Sequence, residues 1–335
     1  MKKRHVAVLM GGISSEHEVS LKSGAMVLQN LNDRKYRKTP LTIGRDGNWT
    51  FGDDPPVPIW DAVARLKTLK VDCIFIALHG PFGEDGRLQG MFDLLRIPYV
   101  GSGCAASALA MDKVRSKAVV RQAGVRVPKD LVFDRAEWEA DPNGVVGRIK
   151  AEVGFPCVPK SPCQGSSIGM AIVPDVHELK SALPSIFGFD DVVLVEQFIS
   201  GPEVTCAVLD VEPGKPPRPL PVTEIRPVSS DFFDYYAKYT PGACTEITPA
   251  EISEAAARKV QDAAVRVHTA VGCEGLSRSD MILDGDEPVW FEVNTIPGMT
   301  ETSLYPQAAA AAGIAFSKLL GMFIEAAIES AKSRG

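Results

Sequence analysis

The sequence contains no pair of cysteines spaced as CxxC, although seven of its 335 residues are cysteine. Zinc sites and disulfide frameworks both use regularly spaced cysteines, and an odd number leaves one thiol unpaired. The pattern therefore argues against both kinds of site and predicts a reducing compartment, the cytoplasm. The cysteines are scattered along the chain, at Cys73, Cys104, Cys157, Cys163, Cys206, Cys244 and Cys273.

Long apolar runs and an excess of basic residues are also missing. The chain has 36 Lys and Arg against 42 Asp and Glu, a net charge of −6, which argues against a broad basic nucleic-acid surface. The most apolar long segment, residues 308–328, is rich in alanine and is interrupted by Lys318 and Glu325. It predicts a helix of the core or of a dimer interface rather than a membrane span. The apolar run near the N-terminus is short and breaks at Gly11-Gly12, so it predicts a first strand rather than a signal peptide.

Apolar strand-like runs alternate with amphipathic helical segments along the chain. With 335 residues and a hydrophobic content of 45%, two or three domains are expected. Residues 1–101 predict an open parallel-sheet α/β domain whose ligand loops follow the strands. Residues 102–195, with a helix over 105–124, predict a central domain, and residues 196–335 predict a third, α+β domain. A Rossmann dehydrogenase is the alternative fold, but the first turn, GGISSE, lacks the GxGxxG pattern.

Two apolar runs near the C-terminus flank the turn sequence DGDE, residues 284–287, and predict a β-hairpin. If the strands fold back at this turn, Asp280 lies opposite Glu292, and Arg278 lies opposite Asn294. Opposite residues and residues two apart share a face of the sheet, so these four polar side chains should converge. The other face is expected to carry the apolar side chains of Met281, Leu283, Phe291 and Val293.

The converging oxygens of this hairpin suit a magnesium ion, which prefers carboxylate and amide ligands and retains phosphates and waters. Arg278 beside them could hold a phosphate or a developing oxyanion. The alternative interpretation is a solvated strand face with ordinary ion pairs. A slip of the register by one residue would separate the group.

A second polar segment, PKSPCQGSSIGM, places Lys160 before Gly165, Ser166 and Ser167. A Gly/Ser loop between strands can offer backbone N–H groups and hydroxyls to phosphate oxygens. It is not a Walker A motif, and an ordinary flexible loop is the alternative. Further candidates are two cations and two acceptors for sugar or base groups, each of which could instead be an ordinary surface residue: Lys113, Lys238, Glu196 and Glu203.

Two residues follow strands of the first domain and could bind a small ligand. His79 ends an apolar strand, where a structural histidine is the alternative. Glu16 lies at the first strand-to-helix turn, where it could hold a ligand ammonium or simply begin the helix.

Taken together, these motifs resemble the D-alanine–D-alanine ligases of the ATP-grasp superfamily. The likeness covers nearly the whole chain in order: GGISSEHEVSLKSG, ALHGPFGEDGRLQGMFDLLRIPYVGSG, MDKVRSK, GSSIGM, DYYAKY, RSDMIL and EVNTIPGMTETSLYP. The resemblance implies three domains, with ATP bound between the central and C-terminal ones. It also implies that ATP phosphorylates the carboxylate of one D-alanine and that the amine of a second attacks the acyl phosphate, to supply peptidoglycan synthesis.

The resemblance also implies roles for individual residues at the nucleotide. Two Mg²⁺ would be held by Asp280, Glu292 and Asn294. The phosphates would be bound by Lys113, Lys160, Lys238, Ser166 and Ser167. The adenosine would be framed by Glu196, Gln197, Ile199, Glu203 and Phe291.

At the amino-acid substrates, Glu16 would hold the first ammonium, with His79 nearby. Arg278 and the backbone N–H of Gly298 would stabilise the tetrahedral intermediate. The second carboxylate would be received by Ser303 and Leu304. Tyr239, linked to Ser166 and Glu16, would close a loop over the catalytic site.

The phosphate loop departs from the family pattern, which usually reads Lys-Pro-x-x-Glu-Gly-Ser-Ser. Here Pro162 is displaced by one place and Gln164 replaces the glutamate. Two alternatives stay open: a ligase with another acceptor, which could be D-serine, D-lactate or an antibiotic precursor, and a binding protein that keeps nucleotide but has lost turnover, for which the altered loop argues mildly. Tyr239 resembles the branch of the family that uses an amine acceptor, because the lactate-using branch has a histidine at that position. The family further suggests a homodimer with no nucleic-acid or membrane partner.

Overall fold

The computed structural model of the chain describes residues 3–165, 169–227 and 244–334. Within these residues the strands form three separate sheets that follow one another along the chain, and the second ends at Gln197, two residues beyond the predicted boundary at 195. This arrangement confirms the mixed α/β and α+β fold class, with a mainly parallel sheet at the N-terminus.

The first sheet has four strands in the order β3-β2-β1-β4. Strand β1 is parallel to both β2 and β4, whereas β3 is antiparallel to β2. Val6, Ala7, Val8 and Leu9 of β1 are completely buried, as expected for a central strand covered on both faces. The elements are β1 (Arg4–Gly11), α1 (His17–Asn30), β2 (Tyr36–Ile43), β3 (Trp49–Phe51), α2 (Ile59–Leu69), β4 (Cys73–Ile76) and α3 (Arg87–Leu95).

The second sheet is antiparallel and has three strands in the order β5-β7-β6. The predicted helix over 105–124 is instead two helices, because Asp112 is extended and its side chain caps the second helix through the N–H of Arg115. The break makes Lys113 the first residue of that helix. The elements are α4 (Cys104–Met111), α5 (Lys113–Gln122), β5 (Asp130–Asp134), α6 (Arg135–Ala140), α7 (Pro142–Glu152), β6 (Cys157–Lys160), α8 (Val176–Ile186) and β7 (Val192–Gln197).

The third sheet has the order β11-β10-β8-β12-β13, with β9 paired to β8. Helix α9 covers one of its faces with buried residues at helical spacing, including Val260, Ala264, Val267 and Val271. The opposite face looks onto the candidate site. The elements are β8 (Glu203–Asp210), β9 (Arg218–Pro219), β10 (Thr223–Pro227), β11 (Cys244–Ile247), α9 (Glu254–Val271), β12 (Gly275–Asp284), β13 (Glu287–Asn294), α10 (Leu304–Ala311) and α11 (Phe316–Arg334).

Two elements pack against a sheet other than that of their own predicted segment. Helix α11 returns to the first sheet, where Leu320 and Phe323 share a core with Val6 and Phe75. Val120 of α5 shares a core with helix α9 and strand β8. The residue boundaries 1–101, 102–195 and 196–335 remain a prediction. These two hydrophobic cores each contain residues from more than one of these segments. Among the described residues no single helix is long and apolar enough to cross a membrane. Helices α10 and α11 together have the length and composition of a span, but they are bent by 104° relative to each other.

A buried histidine ties helix α9 to the third sheet. His268 Nδ1 is 2.7 Å from Ser277 Oγ, and Nε2 is 3.4 Å from Asp210 Oδ2. His268 is 1% exposed and Ser277 is fully buried, so the group resembles a catalytic triad in composition but has no access for a substrate. Burial lowers the pKa of His268, against the opposing effect of Asp210.

We expect acidification to weaken the fold through His268. Since its folded pKa lies below the unfolded one, its contribution is intact above about pH 6.5 and declines as the pH falls towards the folded value, by at most ~1.4 kcal/mol per pH unit. His268→Gln should therefore lose less unfolding free energy than the unmodified protein between pH 7.5 and 5.5, measured by urea titration. His177→Gln, at an exposed helix position, is the control. An equal pH-dependent loss in His268→Gln would contradict this account.

Candidate active site

The predicted hairpin forms with the expected register. Arg278 pairs with Asn294, and Asp280 pairs with Glu292. The turn contains only Gly285 and Asp286 between the two strands, and Gly285 has φ +63°, a conformation that favours glycine. The sequence pattern and the turn together therefore bring the four polar residues to one end of one sheet face.

Phe291 does not lie on the apolar face where strict alternation would place it. Asp280 pairs with Glu292 but Met281 pairs with Trp290, so Phe291 is the extra residue of a β-bulge. The expectation for Met281 holds, since it is buried beneath the sheet together with Trp290, whereas Phe291 faces Lys160, whose Nζ is 6.0 Å from the ring centroid. The bulge thus adds an aromatic wall beside the carboxylates.

Asp280 is held rigidly. Arg278 donates two hydrogen bonds to it, at 3.0 Å from Nε and 2.8 Å from Nη2, and Thr205 Oγ1 donates a third at 2.5 Å. The Asp280 side chain is 4% exposed and that of Arg278 is 13% exposed. Because charge-assisted bonds to a buried carboxylate are strong, both groups are fixed before any ligand arrives.

The donor set next to this pair fits a magnesium ion. Asp280 and Glu292 are direct cross-strand partners, which places their Cβ atoms about 4.5–5.5 Å apart. Glu292 Oε2 lies 3.5 Å from Lys113 Nζ, and Asn294 Oδ1 accepts the backbone N–H of Ile296 at 3.0 Å. Two carboxylates and an amide oxygen are hard ligands, and they leave positions for phosphates and water. Among the described residues no three His, Cys, Asp or Glu side chains are grouped as metal ligands, so the third ligand here is the amide of Asn294.

A small pocket of about 130 Å³ lies between the second and third sheets. Its walls are mostly apolar, with Phe291 on one side, and polar groups lie at its edge. A flat, largely apolar ring with a few polar groups would fit such a space. The pocket brings together all the described residues predicted to bind adenosine, together with three others predicted for phosphate or metal: Glu196, Gln197, Ile199, Glu203, Phe291, Lys113, Lys160 and Glu292.

Lys113 connects this pocket with a larger cavity. Its Nζ donates to the backbone oxygen of Gln164 at 2.7 Å and lies near Glu292. Both Lys113 and Glu292 line the small pocket and the large cavity. The break between α4 and α5 at Asp112 is what brings this lysine to the junction.

The large cavity has a volume of about 850 Å³ and lies between the first and third sheets. Its size suits two small polar substrates together with the end of a larger one. It unites the described residues predicted for the amino acids with those predicted for the metal, except Asp280, which lies behind Arg278: Glu16, His79, Arg278, Gly298, Ser303, Leu304, Glu292 and Asn294.

At the end of the cavity nearest the first sheet, His79 is fixed in one tautomer. Its Nδ1 is 3.1 Å from the carbonyl of Ile296, which can only accept, so Nδ1 carries the hydrogen. Nε2 then accepts the hydroxyl of Ser23 at 2.9 Å. Burial lowers the pKa of His79, so the ring is neutral at pH 7. Glu16 lies in the same wall, with its backbone N–H bonded to Ser14 Oγ.

Glu84 also lines this end of the cavity, although the sequence reasoning did not single it out. Its Oε2 accepts the N–H of Gly80 at 2.7 Å, and its Oε1 is shielded and has no partner among the described residues. Burial, followed by the charge of Glu16, raises the pKa of Glu84 to about 8. At neutral pH the Glu84 carboxyl is therefore largely protonated and adds no second negative charge beside Glu16, which suits one ligand ammonium.

At the opposite end, Ser303 begins helix α10 and accepts the backbone N–H of Thr300 at 2.9 Å. A Cβ at residue 298 would lie 2.7 Å from Ser303 Oγ, so Gly298 leaves the backbone close to this serine. Leu304 packs against Ile225 of β10.

Glu246 and Gln307 extend this end of the cavity and were also missed from the sequence. Gln307 Nε2 donates to Glu246 Oε2 at 2.5 Å, and burial raises the pKa of the Glu246 carboxyl. Glu246 pairs with Ile225, so it lies on the site face of the third sheet. No local signal reveals this, because the position of β11 beside α10 is set by tertiary packing.

Lys117 is the other residue that was missed. Its Nζ lies 2.5 Å from Glu196 Oε1, and Lys160 Nζ lies 2.5 Å from Glu196 Oε2. A signal existed, because Lys113, Ser116, Lys117 and Val120 form the buried stripe of α5 at helical spacing. Four predicted site residues, Ser166, Ser167, Lys238 and Tyr239, lie outside the described residues.

Comparisons with known proteins match this arrangement over nearly the full chain. A family model described as the D-ala D-ala ligase C-terminus matches residues 119–325, and one described as the D-ala D-ala ligase N-terminus matches residues 5–66 and 58–102. The D-alanine–D-alanine ligase of Desulforudis audaxviator is 41% identical over 328 residues, which are 97% of this chain and 99% of the relative. The chain belongs to the D-alanine–D-alanine ligase family.

Solved ligase structures share its fold. The VanG D-Ala:D-Ser ligase from Enterococcus faecalis superposes with a TM-score of 0.84 at 36% identity, over 97% of this chain and 100% of that one. The D-alanine–D-alanine ligase from Bacillus anthracis complexed with ATP gives 0.80 at 34% identity over the full length of both chains. The resemblance to the ATP-grasp ligases is therefore confirmed for fold and family.

The metal assignment can be tested on the hairpin. Glu292→Gln keeps the shape of the side chain but removes its charge, so turnover of the ligase at moderate Mg²⁺ should fall at least ~10²-fold while the thermal stability stays close to normal. Initial rates of phosphate release over a Mg²⁺ titration measure the effect. Glu287→Gln, at the other end of the same strand and bonded to Lys259, is the matched control. Normal turnover of Glu292→Gln at saturating Mg²⁺ would rule out the assignment.

Proposed function

We propose that the protein joins two D-alanines into D-alanyl-D-alanine at the expense of ATP, for peptidoglycan precursor synthesis. The observation that supports this most directly is the meeting of two spaces at Lys113 and Glu292. The small pocket suits an adenine ring, and the large cavity holds a carboxylate-binding end and an ammonium-binding end. A nucleotide crossing the junction would present its terminal phosphate to the amino acid.

In the first step, a carboxylate oxygen of the first D-alanine attacks the γ-phosphorus, and the bond to the β–γ bridging oxygen breaks to release ADP. This transfer requires positioning and charge neutralisation more than covalent help from the protein. Lys113 and Lys160 supply positive charge at the phosphates, and Glu16 holds the ammonium of the first D-alanine. Magnesium held by Asp280, Glu292 and Asn294 would neutralise phosphate charge.

In the second step, the amine of the second D-alanine attacks the acyl carbon, phosphate leaves with its bonding electrons, and the nitrogen loses a proton. Arg278 is held in place by Asp280 through Nε and Nη2, and its guanidinium charge would stabilise the oxyanion of the tetrahedral intermediate. The backbone N–H of Gly298 supports the same charge. Ser303 and the backbone at Leu304 receive the carboxylate of the acceptor.

D-Serine is the second candidate acceptor. Glu246 and Gln307 lie on the acceptor wall beside Leu304 and offer hydrogen-bond partners that an alanine methyl group does not use. A solved neighbour is a D-Ala:D-Ser ligase. If serine is used, Glu246→Leu should reduce the D-serine rate much more than the D-alanine rate.

We further infer a cytoplasmic homodimer. Four of the largest exposed apolar side chains lie in or next to α2 and α3 on one face of the first sheet, which suits burial against a second copy. They are Ile59, Trp60, Phe82 and Leu94. All seven cysteines are free thiols, which suits a reducing compartment.

The proposed function predicts a particular substrate and pH profile. With ATP and Mg²⁺, D-alanine should release phosphate and form dipeptide, whereas L-alanine and ATP alone should not. Because the attacking amine must be unprotonated, the rate should rise from about pH 7 towards about pH 9. Phosphate release and dipeptide chromatography over a panel of D-alanine, D-serine, D-lactate and L-alanine give the answer. D-Lactate competing successfully with D-alanine at neutral pH would overturn the amine assignment.

A further inference from the structure

Lys117 is a fully buried lysine that lines neither cavity. It projects from the second turn of α5 into the space between that helix and the second sheet. Its side chain is 0% exposed, and its Nζ lies 2.5 Å from Glu196 Oε1 and 4.0 Å from Asp130 Oδ2. Arg121, one turn further along α5, pairs with the other oxygen of Asp130 from the solvent side.

In the part of the chain that the structure describes, Glu196 has two cationic partners that differ in their surroundings. Lys117 holds one carboxylate oxygen from behind, and Lys160 holds the other at 2.5 Å from the side of the small pocket. Of these three residues, Lys160 and Glu196 line that pocket and Lys117 does not. The Lys160 ammonium also faces the ring of Phe291. Lys160 therefore has ligand space next to it, whereas Lys117 has none.

A carboxylate buried to this degree requires a permanent counter-charge. Although burial opposes ionisation, Lys160 and then Lys117 lower the pKa of Glu196. Losing the only partner of a buried charge is strongly destabilising, because the charge is left uncompensated. If Lys160 moved to a phosphate in a protein without Lys117, Glu196 would be left in that state. With Lys117 in place, the movement leaves one ion pair intact.

We propose that Lys117 is a positioning residue for the nucleotide: as the fixed counter-charge of Glu196, it frees Lys160 to exchange its carboxylate partner for a phosphate of ATP. The exchange replaces one anion by another at Lys160 and breaks no covalent bond. Glu196 stays ionised and oriented at the pocket wall throughout. This inference rests on the proposed use of ATP.

Replacing Lys117 by methionine preserves most of the side-chain stem and removes the charge. Lys160 would then be the sole cationic partner of Glu196 among the described residues and would stay bound to it. We expect the Kd for ADP and the KM for ATP to rise at least ~10-fold, which corresponds to ~1.4 kcal/mol. The Kd for adenosine, which has no phosphate, and the KM for D-alanine should change much less. Calorimetry of both nucleotide ligands, together with steady-state rates, measures the split.

Arg121→Met is the matched control. It removes a cation of the same helix that contacts the same Asp130, but Arg121 lies 52% exposed and does not contact Glu196. Its ADP and adenosine affinities should remain normal. A merely structural role of Lys117 would weaken adenosine and ADP alike, or would lower the thermal stability without changing either affinity. Either result would overturn the proposal.

The double variant Lys117→Met with Glu196→Gln keeps the test valid if the single variant fails to fold. With Glu196 neutral, neither an uncompensated buried carboxylate nor a locked Lys160 remains, so the double variant should fold. It should also bind ADP no more weakly than Glu196→Gln alone, because the two effects are coupled rather than additive. Additive losses would refute the exchange. An unmodified protein that binds no ADP would instead refute the proposed function.

Discussion

The arrangement of the site depends on the pairing of strands β12 and β13. A register with Asp280 opposite Glu292 puts two carboxylates, an amide and a guanidinium on one face, and a shift by one residue would turn each of them into the core. The bulge at Phe291 then changes the alternation just beyond the carboxylates. The same strand consequently presents polar ligands towards the large cavity and an aromatic ring towards the small pocket.

Three carboxylates near the junction of these two spaces are paired with cations before any ligand binds. Arg278 neutralises Asp280, Lys113 neutralises Glu292, and the two lysines at Glu196 outnumber it by one. Buried charges are tolerated only when they are paired. A charged ligand can therefore replace one member of such a pair. In the proposed function, an incoming triphosphate would bind these cations in place of the carboxylates, and a metal ion would then balance the charge of the carboxylates that the phosphates displace.

The hairpin was predictable because a two-residue turn and a period of two fix a register from the sequence alone. The direction of Phe291 was not, since a bulge is an exception to that period and depends on the packing of Trp290. Lys117 was visible as a lysine in the buried stripe of α5, but its partner lies 79 residues away. Glu246 gave no signal, because its role depends on the place of an edge strand beside α10.

The two walls of the large cavity come from distant parts of the chain, and direct contacts fix their separation. His79 Nδ1 donates to the carbonyl of Ile296, and Ser23 Oγ accepts the N–H of Met299 at 3.4 Å. Helix α11 continues this joint by packing against the first sheet. Since the wall proposed to bind the ammonium and the wall proposed to bind the oxyanion are joined in this way, the spacing between the two proposed amino-acid sites is set by the folded chain itself. A nucleotide bound as proposed would have to adapt to that spacing, and Lys160 at the small pocket is the residue that we propose allows it to do so.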